Sequence, residues 1–330
     1  MSKRIVTLFT GQWADMSFDT VCETASSMGY EGLEVCIWGK HIDVEKAYND
    51  DSYCKEILDT LNKYNLKMEA IGSHLVGQVI GDVLDERHKN FLPKKYHNDL
   101  EAGRVWAIDI MMKTPTVAKK LNCHVVTGFL GSPIWNFWYS YPQTTQEVIS
   151  KGYELIKSRW IPILDEFKKQ EIKFAFEVHP AEIAYDYYTA KQLLEVLDNH
   201  EAFGFNFDPS HLVWQGIRPE LFIRDFSDKI FHVHMKDVVV CLDGRAGILG
   251  SMLNFGDTRR GWNFVSIGHG DVDFDKIIRE LNSIGYTGPL SIEWEDSGMD
   301  RLFGAKESFE YIAKINFDKS SIAFDDAQKQ

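Results

Sequence analysis

The sequence predicts a single α/β domain folded as an eight-stranded (β/α)8 barrel. Eight short β-branched or aromatic segments alternate with eight longer segments of helical periodicity, which is typical of parallel βαβ units. Several of the short segments are continuous apolar runs, as expected of strands covered on both faces. One such barrel, a TIM barrel, accounts for all 330 residues without a second domain.

The predicted elements follow from these apolar and periodic segments in chain order. The strands are RIVTLF (4–9), EGLEVC (31–36), KMEAI (67–71), CHVVT (123–127), IKFAFE (172–177), FGFNFD (203–208), IFHVHM (230–235) and PLSIE (289–293). The helices are 18–28, 51–64, 104–121, 146–169, 189–199, 219–227, 273–284 and 301–313. Each helix follows one strand and leads to the next, apart from the last helix, which ends the barrel.

Three segments are longer than a minimal barrel needs: 76–103, 128–145 and 236–270. Each follows a predicted strand, so we expect them to form substrate-binding loops at the mouth of the barrel. The acidic residues after 314 are expected to form a surface extension at the C-terminus.

Composition limits the compartment and the partners. The formal charge of −13 disfavours nucleic acid as a partner, because affinity for nucleic acid depends on Lys and Arg. No apolar run of 18 residues predicts a membrane span, and the N-terminus lacks a signal-peptide pattern. The five cysteines are scattered and never spaced C-x-x-C, which favours a reducing cytoplasmic location over disulfides or a cysteine-built zinc site.

Four metal-binding side chains end successive predicted strands. Glu177 ends the fifth strand, Asp208 the sixth and Glu293 the eighth, while His234 is the penultimate residue of the seventh. Because the carboxyl ends of barrel strands meet at one mouth, these side chains are expected to converge. Three carboxylates and one imidazole predict one divalent ion, with Mn²⁺ favoured and Mg²⁺, Co²⁺ or Zn²⁺ as alternatives.

Each of these residues also has a structural interpretation. A carboxylate at a strand end is compatible with a solvated loop, and Asp208 in the string DPSH with a helix N-cap. His232 and His234 alternate with apolar residues and therefore face the same side, so that one is a ligand and the other a structural histidine. Four such residues in strand order favour the metal site.

Other residues are candidates for substrate contact. His179 follows Glu177 by two residues on the same strand face, and it is either a general acid/base or a hydrogen-bonded histidine before a proline turn. Trp135 and Trp138 offer a flat surface to a sugar or aglycone, a subunit interface or rim packing. Lys236 is a candidate substrate-binding residue that, like Asp237, orients the site.

Several strings resemble the sugar isomerase/epimerase superfamily with the xylose-isomerase-like TIM barrel. They are FEVHP, NFDPSH, FHVHMKD, GHGDVDF and GYTGPLSIEWED, and the resemblance extends to about residue 313. It implies that Glu177, Asp208, His234 and Glu293 hold the metal, and that His211 contacts substrate or metal-bound water. In the epimerases two carboxylates move the proton, which here implies Glu177 and Glu293.

The longer strings FEVHPAEIAYD and SIEWEDSGMDR resemble the large subunits of C-glycoside deglycosidases. This resemblance implies cleavage of the carbon–carbon bond between a 3-oxo sugar and an aromatic aglycone, in an oligomer that includes a small β-sandwich partner subunit. His179 would then serve the leaving phenol as acid/base. The alternatives are a ketose 3-epimerase or sugar isomerase and, in another class, a non-catalytic sugar-binding or scaffold subunit.

The sequence departs from the AP-endonuclease branch of the same superfamily. The trinuclear zinc site of that branch needs an Asp-x-His pair between the seventh and eighth strands. Here SIGHGD supplies His269 without an aspartate two residues earlier, although His74 matches an early strand-three histidine. The incomplete set predicts that the protein does not cleave abasic DNA.

Overall fold

The computed structural model describes residues 4–322 and 325–328 and shows a closed parallel barrel. Its strands are β1 (Val6–Phe9), β2 (Gly32–Cys36), β3 (Lys67–Gly72), β4 (Val125–Gly128), β5 (Lys173–Glu177), β6 (Phe203–Phe207), β7 (Ile230–Met235) and β10 (Leu290–Ile292). Each strand pairs in parallel with its neighbour in this order, and β10 pairs with β1 to close the barrel. The predicted (β/α)8 fold is therefore confirmed.

Eleven α-helices are present in the described residues. They are α1 (Phe18–Met28), α2 (Val44–Asn49), α3 (Asp51–Lys63), α4 (His74–Gly81), α5 (Leu100–Lys120), α6 (Gln146–Gln170), α7 (Tyr187–Val196), α8 (Pro209–Val213), α9 (Pro219–Asp225), α10 (Phe274–Ser283) and α11 (Arg301–Ile315). Most begin after a Ser, Thr or Asp whose side-chain oxygen accepts a backbone N–H of the first turn, such as Ser17, Thr145 and Asp186. None of them is long and apolar enough to cross a membrane.

The apolar strands place the core inside and around the barrel. Phe174 and Phe176 of β5 are fully buried, as are Phe203, Phe205 and Phe207 of β6. Consecutive strand residues point to opposite faces, and helices cover the outer face of the barrel. The continuous apolar runs are therefore explained by burial of both faces of these strands, as the sequence suggested.

The long loops contain elements that the sequence did not predict. The segment 236–270 carries β8 (Asp237–Val240) and β9 (Trp262–Val265), which form an antiparallel hairpin outside the barrel. The Trp262 ring stacks on Trp214 at 4.4 Å between centroids, which anchors the hairpin to the barrel rim. The segment 76–103 overlaps the end of α4.

Candidate metal centre and active site

The four predicted metal ligands lie together at the mouth of the barrel. Glu177 is the last residue of β5, Asp208 follows β6, His234 lies in β7 and Glu293 follows β10. All four are buried. One potential ligand atom from each lies within 4.8 Å of the others. The convergence expected from the strand order is therefore present.

The contacts within this cluster are short but lack hydrogen-bond geometry. His234 Nδ1 lies 3.1 Å from Glu177 Oε2 and 3.0 Å from Glu293 Oε2. Among the described residues, however, neither His234 Nδ1 nor Glu293 Oε2 has a hydrogen-bond partner. Ligands at right angles around an ion with bonds of about 2.1 Å are about 3.0 Å apart. The spacing and the unpaired atoms fit a divalent cation.

Asp208 combines the two roles that its sequence position left open. Its Oδ1 accepts hydrogen bonds from the Ser210 amide at 2.8 Å and the Ser210 hydroxyl at 2.7 Å, and so caps α8. Its Oδ2 is buried and has no hydrogen-bond partner in the described part of the chain. One oxygen therefore stabilises the helix, while the other remains available to a ligand.

Glu34, which the sequence analysis missed, orients His234. Its Oε2 accepts hydrogen bonds from His234 Nε2 at 2.9 Å, His232 Nε2 at 2.8 Å and the Ser291 hydroxyl at 2.7 Å. With Nε2 held by a carboxylate, His234 presents Nδ1 to the cluster, which is the usual arrangement of a metal-binding histidine. His232 pairs with Glu34 and is not part of the ligand cluster, which fits the structural role predicted for one of the two histidines. A carboxylate inside the apolar strand GLEVC was the available sequence indication.

Glu177 is held by residues from three neighbouring elements. Its Oε2 accepts hydrogen bonds from Asn206 Nδ2 at 2.9 Å and His74 Nε2 at 3.2 Å. Its Oε1 lies 3.3 Å from His211 Nε2, which is also 3.4 Å from Asp208 Oδ2. His211 therefore borders the cluster, as its predicted contact with substrate or metal-bound water requires.

His74 owes its position to a close helix approach. Gly77 of the same helix, α4, lies against the backbone that follows β4, and a Cβ there would be 2.0 Å from the Phe129 carbonyl oxygen. Glycine is therefore needed for the first turn of α4 to reach the site. The sequence analysis named His74 only as a partial match to another branch of the superfamily.

Burial and neighbouring charge act in opposite directions on these acids. Burial raises the pKa of Asp208 to about 6. The pKa of Glu177 lies well below its ordinary value. Burial acts to raise this pKa, but the imidazoles of His211 and His234 lower it by more. The carboxylates therefore depend on nearby positive charge to remain ionised.

A cavity of ≈330 Å³, which we call the central cavity, is lined in part by Glu177 and Glu293 of this cluster. Lys236 also lines it, with Nζ 3.3 Å from Glu293 Oε2 and 3.0 Å from Glu295 Oε2. Burial lowers the pKa of Lys236, but these two carboxylates outweigh burial and raise it, so the ammonium remains charged. Its position fits the predicted contact with substrate, which stays a prediction.

His179 lines the same cavity, beside Glu177. Its ring centroid lies 4.1 Å from that of His211 and 4.8 Å from that of Phe129. Its backbone amide donates to the Ala184 carbonyl, while its side-chain Nδ1 has no hydrogen-bond partner among the residues described. The structure therefore brings His179 to the site with a ring nitrogen that is not committed to a structural bond.

Trp135 and Trp138 lie elsewhere. Their rings stack with centroids 6.4 Å apart, and both line a separate cavity of ≈120 Å³ together with Glu182 and Tyr185. As far as the structure describes the chain, neither lines the central cavity. The structure does not bring them to the predicted metal ligands, and their contact with substrate stays a prediction.

Asp237 and His269 do not belong to the ligand cluster. Asp237 accepts hydrogen bonds from the backbone amides of Val238 and of three residues within 268–272, and thereby fixes that loop. His269 is exposed and pairs with Glu307 at 2.9 Å. Asp237 therefore positions the loop after the hairpin, and His269 adds no ligand to the cluster.

Comparison with known proteins agrees with this architecture. Over 326 residues the chain is 26% identical to the uncharacterized protein YfiH of Bacillus subtilis (strain 168), which covers 92% of this chain and 96% of that protein. Over 207 residues it is 21% identical to an inosose dehydratase of Clostridium perfringens (strain ATCC 13124), covering 62% of this chain and 66% of the relative.

Among solved structures, the 3-keto-D-glucoside 4-epimerase YcjR from E. coli superposes with a TM-score of 0.67 at 13% identity. The superposition covers 94% of this chain and all of that chain, and at this identity it shows the shared fold alone. The family model described as xylose isomerase-like TIM barrel matches residues 22–315. The chain therefore belongs to the xylose isomerase-like TIM barrel family.

Proposed function

We propose that this protein is a divalent-metal-dependent enzyme that removes a proton next to a carbonyl group of a keto-sugar. The observation that carries the proposal is the convergence of Glu177, Asp208, His234 and Glu293 at the barrel mouth. Several of their buried ligand atoms lack a partner within the described chain. Buried charges of this kind are costly, and strongly perturbed groups in a cleft mark candidate active sites.

The chain's own residues would divide the work as follows. A divalent ion held by the four ligands supplies Lewis acidity that favours loss of a proton beside a carbonyl. Glu34 and Asn206 hold His234 and Glu177 in place, which fixes the positions of the ligand atoms. Lys236 donates a hydrogen bond to a sugar oxygen. His179 exchanges the proton through its uncommitted Nδ1.

The specific reaction that we propose is cleavage of the carbon–carbon bond of 3-oxo C-glycosides. The 3-oxo group acidifies the hydrogen on C2, and loss of that proton expels the aglycone from C1, leaving a double bond between C1 and C2. His179 Nδ1 would accept the C2 proton and return it to the aglycone carbon as the carbon–carbon bond breaks, so that the proton is conserved. Support comes from the deglycosidase-like strings and from a structural neighbour named for a 3-keto-glucoside. A small β-sandwich partner subunit remains part of this proposal.

A ketose 3-epimerase is the second candidate. Epimerisation needs proton transfer on both faces of one carbon, and Glu177 and Glu293 both line the central cavity. Structural neighbours named as ketose 3-epimerases have the same fold. In that reaction His179 would bind substrate rather than transfer the proton.

A substrate panel tests the proposed function. The metal-loaded protein is incubated with a 3-oxo C-glycoside, the matching 3-oxo O-glycoside and free ketoses, each with and without a chelator. We expect release of the aglycone from the C-glycoside, loss of this activity on chelation and recovery when metal is returned. Turnover of free ketoses alone supports the epimerase. Turnover that survives complete removal of metal contradicts both.

A further inference from the structure

A groove of ≈660 Å³ adjoins the central cavity, and no step of the proposed reaction uses it. It lies between the segment after β2 and the segment after β3, and we call it the side groove. Trp38 and Leu75 line both the side groove and the central cavity, so the two spaces share a wall. A ligand that reaches over Trp38 and Leu75 would contact both spaces.

Trp38 links the side groove to the metal ligands. Its ring lies 5.9 Å from that of Phe9 and 6.3 Å from that of His74, between centroids. His74 in turn donates to Glu177 at 3.2 Å. A group stacked on the outer part of Trp38 would thus be separated from Glu177 by the side chains of Trp38 and His74, beside the reacting sugar rather than at the ligand cluster.

The walls of the side groove are aromatic and partly exposed. Besides Trp38, the rings of Tyr53, Phe91 and Trp106 line it. All four side chains are only partly buried, so part of each ring remains accessible. Flat, partly exposed aromatic walls favour a flat apolar ring as the occupant.

The side groove also carries positive charge. Lys40, Lys46 and Lys95 line it, and none of them forms an ion pair within residues 4–322 and 325–328. Lys46 Nζ lies 4.2 Å from the centroid of the Tyr53 ring. Asp43, which also lines the groove, caps α2 through its side chain. Lys40 Nζ donates to the Asp15 carbonyl at 2.8 Å, and Glu45 is a second acidic residue of the lining. The three lysines exceed the two carboxylates by one charge, so in a chain of net charge −13 the groove is locally positive and favours an anionic group on its ligand.

We propose that the side groove is an aglycone subsite for a flat aromatic ring that carries a carboxylate or phenolate. The sugar of the same molecule occupies the central cavity, and Trp38 separates the two parts. This inference rests on the proposed function and names its substrate class. It places the aglycone on Trp38 and Trp106 rather than on Trp135 and Trp138, which line a separate cavity.

Binding of unoxidised glycosides tests the subsite without requiring turnover. The probes are 4-carboxyphenyl, phenyl and methyl β-D-glucosides, with affinities measured by calorimetry on the metal-loaded protein. Lys95→Glu reverses a charge in the groove, and Lys94→Glu makes the same charge change at the adjacent exposed lysine, which is outside the groove lining as described. Trp106→Leu and Trp138→Leu compare the two aromatic surfaces.

We expect the parent to bind the carboxyphenyl glucoside about tenfold more tightly than the methyl glucoside. Lys95→Glu should abolish most of this preference, whereas Lys94→Glu should change it by less than about twofold. Trp106→Leu should weaken binding of both aryl glucosides by about three- to tenfold. If Trp106→Leu does not fold, the exposed Lys95 and Lys94 pair still decides the result.

Three results would overturn the subsite: no measurable binding of the carboxyphenyl glucoside, equal effects of the two lysine variants, or loss of aryl binding in Trp138→Leu alone. The same panel in 3-oxo form tests the reaction separately. Aryl preference in binding without turnover of any 3-oxo glycoside supports the groove and contradicts the proposed function. Turnover of a 3-oxo glycoside without aryl preference in binding supports the proposed function and contradicts the aglycone subsite.

Discussion

Two groups of acids lie near the mouth of the barrel, and they differ in whether oxygens without a hydrogen-bond partner converge with ligand atoms of other residues. In the outer group, Asp82 accepts hydrogen bonds from Gln78 Nε2 at 3.0 Å, His88 Nε2 at 2.8 Å and the Ser132 amide at 2.7 Å. In the central group, Asp208 and Glu293 each keep an oxygen without a hydrogen-bond partner in the described residues. Glu182 of the outer group is as buried as these two acids, so burial alone does not distinguish the two groups.

Glu182 shows how the outer group tolerates burial. Its Oε2 accepts hydrogen bonds from the amides of Leu130 at 2.8 Å and Gly131 at 2.7 Å, while its Oε1 has no hydrogen-bond partner among the described residues. Burial and the nearby Asp82 carboxylate raise the pKa of Glu182 well above its ordinary value, which favours the protonated, neutral form of this acid. The outer group fixes the loop after β4, whereas the central group brings ligand atoms of four residues within 4.8 Å of one another. The convergence of several atoms without a hydrogen-bond partner, rather than the presence of one such oxygen, distinguishes the central group.

The largest effect is expected at Glu177. Glu177→Gln removes a charged ligand, so we expect loss of bound metal and a fall in turnover of about 10³-fold or more, because the ion contributes several kcal/mol to transition-state stabilisation. Elemental analysis and turnover are measured together. Glu182→Gln, the same change in the outer group, should retain its metal. If both variants keep full metal, the distinction between the two groups is wrong.

His179 is expected to affect chemistry without affecting metal. His179→Ala should lower turnover by about 10²–10⁴-fold, the usual contribution of a general acid/base, while metal content and fold stay unchanged. Turnover should be compared on a 3-oxo C-glycoside and on a free ketose. Near-full activity of the variant on every substrate of the parent would make His179 structural and leave Glu177 and Glu293 to move the proton.

A Glu34 variant tests whether the hydrogen bond to His234 Nε2 contributes to metal binding. Glu34→Gln weakens the hold on His234 Nε2, so metal affinity should fall by about 10- to 100-fold. Glu69 on the neighbouring strand β3 is a matched control because it lies outside the cluster, and Glu69→Gln should leave the affinity unchanged. Metal titration of both variants checks this. Equal affinities in the two variants would contradict the orienting role of Glu34.

The smallest expected effect is the pH dependence of the free energy of unfolding that Glu182 of the outer group causes. The folded protein retains the Glu182 proton above the ordinary pKa of 4.5, whereas the unfolded chain releases it. The free energy of unfolding should therefore fall as pH rises from about 4.5 towards the raised pKa, by up to about 1.4 kcal/mol per pH unit. Glu182→Gln keeps an acceptor oxygen and should flatten this dependence between pH 5 and pH 8 in urea unfolding. His88, whose pKa Asp82 raises despite burial, and Asp208, whose pKa burial raises to about 6, leave a residual slope of the same sign. An unchanged slope would show that Glu182 is ionised in the fold.

The barrel and the convergence of its four candidate ligands could be predicted because both depend on strand order. Parallel strands place their carboxyl ends at one mouth. The convergence of Glu177, Asp208, His234 and Glu293 could therefore be predicted without knowing how the loops fold. Glu34 was missed because it lies within its strand rather than at the end, and its partners come from other strands. Distances in sequence of about 200 residues separate it from His232 and His234.

The loops were less predictable for a different physical reason. The side groove is built by segments from several parts of the chain, and no periodicity links Trp38 to Trp106. The run around Trp135 and Trp138 looked like a substrate surface from its composition, yet it lines a separate cavity. Aromatic content indicates that a surface is available for contact, while the packing of the loops decides where that surface lies.

Metal content of Asp208→Asn tests the central claim most directly. Asparagine keeps an oxygen that accepts from the Ser210 amide, so the cap of α8 and the fold are retained while the free anionic oxygen is lost. Asp186→Asn makes the same change at the N-cap of α7, away from the cluster. With parent and both variants loaded identically, we predict close to one divalent ion per chain in the parent and in Asp186→Asn, and strongly reduced metal in Asp208→Asn. Full occupancy in Asp208→Asn, or no metal in the parent, would contradict the assignment of this cluster as a metal centre.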